Sequence, residues 1–414
     1  MLEGLRWLLR HGNEDGSWSA KTCIDHCATT NEPCVRDGDA YCTNYDEGLT
    51  GLALLCFLGA GFSNESKQTI SDKVANRGLK LCDKIKDGLM FLKDRQKDDG
   101  SFSQQRTFMY NEALAAMALV ENYGLSQNRY WKGPAQKAID FICRAQRPSP
   151  NGPGLWGWLY ASRQEVEAKR MGTGDDPELD AQLYESDVSV TAWCIMALKS
   201  AQICGLEVPD ENMAGALEFV KWCTDPRGSG LVGYISPDGA GIPVEGTGLE
   251  TYKYHVGTMS SLGMLVRTFV AHDRDDPTLE QSAGVLLKDL PEVYKDKHNL
   301  DYYYWYYGSL ALNQYDGPDA PRRSGKYWDK WEAAMERSLL ELQDDHEGTC
   351  NQGAWLDPDR WTHYGGPIYN TAINVLTLEV YYRFENAFGA RAREVARGAP
   401  AGPGAAPAAA PGRR

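Results

Sequence analysis

With 414 residues, 42% of them hydrophobic, the chain is long enough to bury a large core. A formal charge of -14, with no Lys/Arg cluster in the body of the chain, excludes a basic face for nucleic acid and favours solubility. The longest apolar stretch, Leu49 to Leu58, falls well short of the ~20 residues that a membrane-spanning helix requires.

The N-terminus leads straight into an amphipathic pattern, with no basic segment followed by an apolar one, so the chain as written reads as cytoplasmic. It begins inside a repeat, and an upstream export segment would change that reading to exported. Trp7-Leu8-Leu9-Arg10 runs into Asn13-Glu14-Asp15-Gly16-Ser17-Trp18, and the arrangement recurs. Phe91-Leu92-Lys93 precedes Asp99-Gly100-Ser101-Phe102, and Phe141-Ile142 precedes Gly154-Leu155-Trp156-Gly157-Trp158. Phe219 to Trp222 precedes Gly230 to Tyr234, and Leu339 to Gln343 precedes Gly353-Ala354-Trp355. In each case an amphipathic helix ends in a Gly-containing turn that closes on an aromatic residue. Gly supplies a positive φ, Asp and Ser bond the turn backbone, and the aromatic ring can pack back on the helix end. These turns read as structural staples.

Helices of another kind lie between them. Tyr45 to Gly59, Ser186 to Ala201 and Pro367 to Tyr382 are apolar nearly all round, which places them on the inside. The pattern predicts helices near 1–11, 46–59, 78–95, 108–123, 132–146, 186–203, 210–223, 255–271, 277–291, 301–313, 326–343 and 366–386, with no strand signal of similar strength. Amphipathic and wholly apolar helices alternate, as two concentric layers of six hairpins require. From residue 389 to 414, Ala, Pro, Gly and Arg dominate, and this tail reads as disordered.

The Gln-x-x-Asp-Gly-Ser-aromatic turns resemble the repeats of the terpenoid cyclase and protein prenyltransferase superfamily. So does the inner pattern of Asp187, Ser189, Thr191, Ala192, Ala197 and Leu198. Tyr45 to Leu54, Asp301 to Gly308 and Thr377 to Arg383 look like the bacterial prenyltransferase/squalene oxidase repeat-containing proteins. The resemblance spans roughly residues 1–386 and implies an all-α fold, an α/α toroid forming one domain over 1–388. It transfers fold more readily than function.

The superfamily's catalytic motifs do not carry over. Asp273-Arg274-Asp275-Asp276 has the Asp-x-Asp-Asp form of squalene-type cyclases, but it precedes Pro277 at a helix start and reads as an inter-helix loop with an acidic cap. The zinc-binding Asp-x-Cys of protein prenyltransferases is absent, since Asp187 and Cys194 lie seven apart, and so is the Cys-Gly-Glu-Gln of thioester domains. The starts of the inner helices remain as the candidate site. Asp301, Asp187 and Asp46 are candidate acids, each equally readable as a helix N-cap. Tyr45, Tyr110, Asn111, His255, Tyr302, Tyr304, Tyr307, Tyr369 and Asn370 are expected to line a central cavity. Aromatic faces there would suit a carbocation.

The chain has 11 cysteines, and Cys23, Cys27, Cys34 and Cys42 fall in one loop with His26. This loop reads as a structural zinc site, as disulfides if the protein is exported, or as free thiols. Functionally, the leading expectation is an isoprenoid cyclase- or prenyltransferase-like protein holding a lipophilic small molecule. A non-catalytic toroid for a peptide, lipid or protein, and a carbohydrate-active helical barrel, are the alternatives.

Overall fold

The structure, a computed structural model, describes residues 1–381 apart from 28–33, 35–40, 42–44, 73, 75–76, 174–175, 238–255, 272, 274, 296, 298–299 and 321–322. The tail at 389–414 and His255 lie outside the described residues.

The amphipathic helices are α1 (Leu2–Arg10), α3 (Leu81–Arg95), α5 (Arg129–Ala145), α9 (Asp210–Trp222), α11 (Pro277–Leu286) and α13 (Trp328–Leu342). The apolar ones are α2 (Asp46–Gly59), α4 (Met109–Ser126), α8 (Val188–Ile203), α10 (Val256–Val270), α12 (Tyr302–Asp316) and α14 (Thr362–Leu378). Each apolar helix packs on the next in chain order, and α14 packs on α2, so these six close an inner ring. Helices α3, α5, α9 and α11 each lie across two successive inner helices, and α1 lies across α14 and α2, covering the seam between first and last hairpins. The molecule is an all-α toroid. Burial explains the two compositions: from Glu47 to Gly59 every residue of α2 is buried, whereas α1 buries only Gly4, Leu5, Trp7, Leu8 and Leu9.

The repeated turns tie the two layers together. Asp15 Oδ1 accepts from Ser17 N at 3.0 Å and Ser17 Oγ at 2.7 Å, and Asp99 does the same for Ser101 at 3.0 and 2.7 Å. The indole N–H of Trp18, Trp158 and Trp355 donates back to the preceding outer helix, at Leu8 O (2.8 Å), Ile142 O (2.8 Å) and Leu339 O (2.9 Å). The backbone N–H of the same three residues donates forward to Thr50, Thr191 and Thr371 on the inner helices, at 2.9, 3.1 and 3.3 Å. The inner-helix Thr is therefore the second half of the staple. Each turn also rests on the next outer helix. Gly353, at φ 94°, has no room for a methyl group beside the carbonyl of Glu3 on α1, so the last turn docks on the first helix.

Two features depart from the sequence expectation. Residues 78–80, expected as helix, belong to an antiparallel hairpin of β1 (Thr69–Asp72) and β2 (Arg77–Lys80), paired Thr69↔Lys80 through Asp72↔Arg77. Asp72 is held by Arg10 at 2.8 Å, and Arg6 Nε donates to Ser71 O at 3.0 Å, so contacts with α1 override the local helical pattern. Two further helices, α6 (Arg163–Thr173) and α7 (Pro177–Gln182), sit between α5 and α8 outside the hairpin alternation. Among the described residues no helix is long and apolar enough to cross a membrane.

Candidate functional site

The N-terminal ends of the inner helices surround a cavity of about 330 Å³. Its rim is a collar of aromatic rings. Tyr45 meets Phe108 at 5.0 Å between centroids and Tyr364 at 5.9 Å; Tyr364 meets Trp361 at 6.3 Å, and Trp361 meets Tyr303 at 5.9 Å. Phe108 meets Tyr110 at 5.3 Å and stacks on Tyr160 at 6.1 Å. The gap between Tyr110 and Tyr303 is bridged by Ser189, whose hydroxyl bonds Tyr303 Oη at 2.7 Å and also contacts Tyr110 Oη. Further along the inner helices the wall becomes aliphatic, with Leu49, Leu52, Leu114 and Ile373, and no Asp or Glu side chain lines this cavity among the described residues.

Of the residues expected to line it, Tyr45, Tyr110, Asn111 and Tyr369 do so. Tyr302, Tyr304, Tyr307 and Asn370 do not. Tyr302 Oη donates to Asp357 O at 3.1 Å, and Tyr304 Oη donates outward to Asp289 O at 2.8 Å. Tyr307 is buried against Tyr303 at 4.9 Å and Trp193 at 5.4 Å, and Asn370 Nδ2 donates to Asp357 O at 3.2 Å. In the tyrosine run it is Tyr303 that meets the cavity, because Asp301 caps α12 and sets the phase of that helix. Phe108, Tyr160, Trp193, Trp361 and Tyr364 also line the cavity and were not singled out. Gly366, at φ 56° ahead of Pro367, kinks α14 and hides the turn that carries Trp361 and Tyr364 from a helix-period reading.

The three candidate acids lie behind this wall. Asp187 is fully buried, caps α8 through Val190 N at 2.7 Å, and is pushed up to about 7 by burial, partly offset by the bond from Val190 N. Asp301 caps α12 through Tyr304 N at 2.9 Å and faces Arg360 at 3.6 Å. Asp46 opens α2, and burial raises its carboxyl against a bond from Ser19. A fourth acid, Asp359, carries no sequence signal. Burial and then the neighbouring Asp301 push it up to about 7, while Trp361 N at 2.8 Å, Thr362 Oγ1 at 3.0 Å and Tyr302 N at 3.1 Å donate to it. The cavity residue Tyr369 also donates to it, at 3.4 Å. Asp359 thus reaches the cavity through the Tyr369 hydroxyl. Asp273 and Asp275 form a loop turn, and Asp276 caps α11 through Thr278 N at 2.9 Å while pairing with Arg267 at 2.7 Å.

The cysteine loop is assembled differently from the expected set. Cys27 and Cys34 meet His11 and Cys350, the latter from the last turn. Cys23 is buried outside this group, and Cys42 lies outside the described residues. Among the described residues no two cysteines are joined in a disulfide.

An inner and an outer ring with a cavity at the N-terminal ends of the inner helices define an α/α toroid. Solved structures share it. The type II terpene cyclase MstE from Scytonema superposes with a TM-score of 0.52 at 13% identity, covering 92% of this chain and 96% of that one. A variant of the same cyclase in complex with geranylgeranyl dihydroxybenzoate gives 0.53 at 13% identity, covering 92% and 95%. An inactive variant of an α-1,6-mannanase from Salegentibacter, in complex with α-1,6-mannotriose, gives 0.52 at 13% identity, covering 92% and 97%. No protein-family model and no curated protein matches the sequence significantly.

Proposed function

We propose that the cavity holds a small apolar molecule of isoprenoid type. The observation that carries this reading is the aromatic collar above an aliphatic wall. Such a surface offers π-faces to a cation and apolar contact to a hydrocarbon, and has few groups to hydrate a sugar. Its volume of about 330 Å³ lies at the small end of the ~300–1,000 Å³ usual for ligand pockets. The carbohydrate reading calls for two carboxylates facing the ligand ~5–10 Å apart, and the described residues of the cavity wall do not supply them.

Trp193 and Trp361 line the cavity, so their fluorescence reports occupancy. Titration with geraniol and farnesol is expected to quench it saturably. Ile373→Trp, which fills the cavity, is expected to abolish binding while leaving the far-ultraviolet circular dichroism unchanged. If no prenyl alcohol binds and mannooligosaccharides do, the reading is wrong.

A further inference from the structure

We infer that His11, Cys27, Cys34 and Cys350 form a structural zinc site that clasps the two ends of the ring together. The four ligand atoms all lie within 4.8 Å of one another. His11 Nε2 is 3.4 Å from both Cys34 Sγ and Cys350 Sγ, and those two sulfurs are 3.5 Å apart. With Zn–S of ~2.3 Å and Zn–N of ~2.0–2.1 Å, the edges of a tetrahedral site are ~3.8 Å between sulfurs and ~3.6 Å from sulfur to nitrogen. The observed spacings lie within a few tenths of an ångström of those edges. They are far from the ~2.05 Å of a disulfide, which would in any case leave one of the three thiols over.

The surroundings are those of a metal site. His11 Nδ1 lies 2.8 Å from Trp7 O, so it carries the proton and donates, leaving the Nε2 lone pair toward the sulfurs. Trp7 Nε1 donates to Cys34 Sγ at 3.3 Å, and the Cys34 backbone N–H donates to Cys27 Sγ at 3.3 Å. These N–H groups offset thiolate charge. His11, Cys34 and Cys350 are buried and Cys27 is half-buried. Three thiolates and one imidazole select a borderline-soft tetrahedral cation, zinc(II), and leave no open position for a reacting water.

The placement gives the site its purpose. His11 caps the end of α1, Cys27 and Cys34 belong to the loop between α1 and α2, and Cys350 lies in the turn between α13 and α14. The metal would join residues 339 apart in sequence, at the seam where α1 covers α14 and α2. Arg10, donating to Cys350 O at 3.3 Å and Gln352 O at 2.7 Å, reinforces the same seam.

The test uses the full chain, purified without a histidine tag. Plasma emission spectrometry is expected to find one zinc per chain, and cobalt(II) exchange to give strong thiolate-to-cobalt absorption with tetrahedral ligand-field bands. Cys350→Ser is expected to lose the metal, whereas Cys82→Ser on α3 keeps it. Chelation is expected to lower the thermal midpoint. Folded wild-type protein without zinc and without a thiolate–cobalt band, or peptide mapping that finds Cys34 and Cys350 joined as a disulfide, would overturn the assignment. The wild-type measurement decides the question even if Cys350→Ser fails to fold.

Discussion

Thr191→Val tests whether the inner-helix threonine is the second half of the staple. Valine nearly preserves the volume of threonine and removes only the hydroxyl. In the wild type that hydroxyl accepts from Trp158 N at 3.1 Å, and both residues are fully buried. The substitution leaves a buried N–H with no acceptor, which costs ~1–3 kcal/mol. Thr191→Ser keeps the acceptor and deletes one methyl group, a loss of roughly 0.8 kcal/mol in transfer free energy. Urea unfolding followed by tryptophan emission should therefore rank wild type above Thr191→Ser and Thr191→Val last, with equal denaturant slopes. The series extends to Thr50→Val and Thr371→Val, where the bonds are 2.9 and 3.3 Å and the larger cost is expected at Thr50. If valine is tolerated as well as serine at position 191, the hydroxyl is not part of the staple.

Asp187 and Asp359 have folded-state values near 7 against the ordinary 3.8, so folding favours their protonated forms. That stability is fully present below the ordinary value and is lost as pH rises through about 7, by a few kcal/mol per group at ~1.4 kcal/mol per pH unit. Asp359→Asn should flatten the fall of the unfolding midpoint over this window, and an unchanged profile would count against a buried protonated Asp359. Gly353→Ala places a side chain at φ 94° against the backbone of α1 and is expected to cost ~1–3 kcal/mol. Hydrogen exchange should accelerate first in α1 and α14; uniform exchange would show that the seam is not the part that yields.

The two helical layers were legible because each layer has its own periodicity. Helix α2, apolar from Leu49 to Leu58, has to be buried on all sides, and α1 or α13 with one apolar stripe does not. The turns were legible because Asp15-Gly16-Ser17 and Asp99-Gly100-Ser101 build their geometry locally. The cavity was half legible. Tyr45, Tyr110, Asn111 and Tyr369 followed from their places at inner helix starts, but the face of α12 depended on a rotational phase that places Tyr303 on the cavity and sends Tyr304 outward.

Asp359 depended on the packing of α14 against α12, and the proposed zinc clasp on ring closure. Asp359 is raised by burial beside Asp301, and nothing local marks it. Cys27 and Cys34 share a sequence neighbourhood with Cys23 and Cys42, yet their partners come from the end of α1 and from the last turn. Hydrophobic period and turn chemistry act over a few residues, and they determined the repeat. Which groups meet where residue 11 finds residue 350 is set by how many hairpins complete the circle, and only the closed ring decides that.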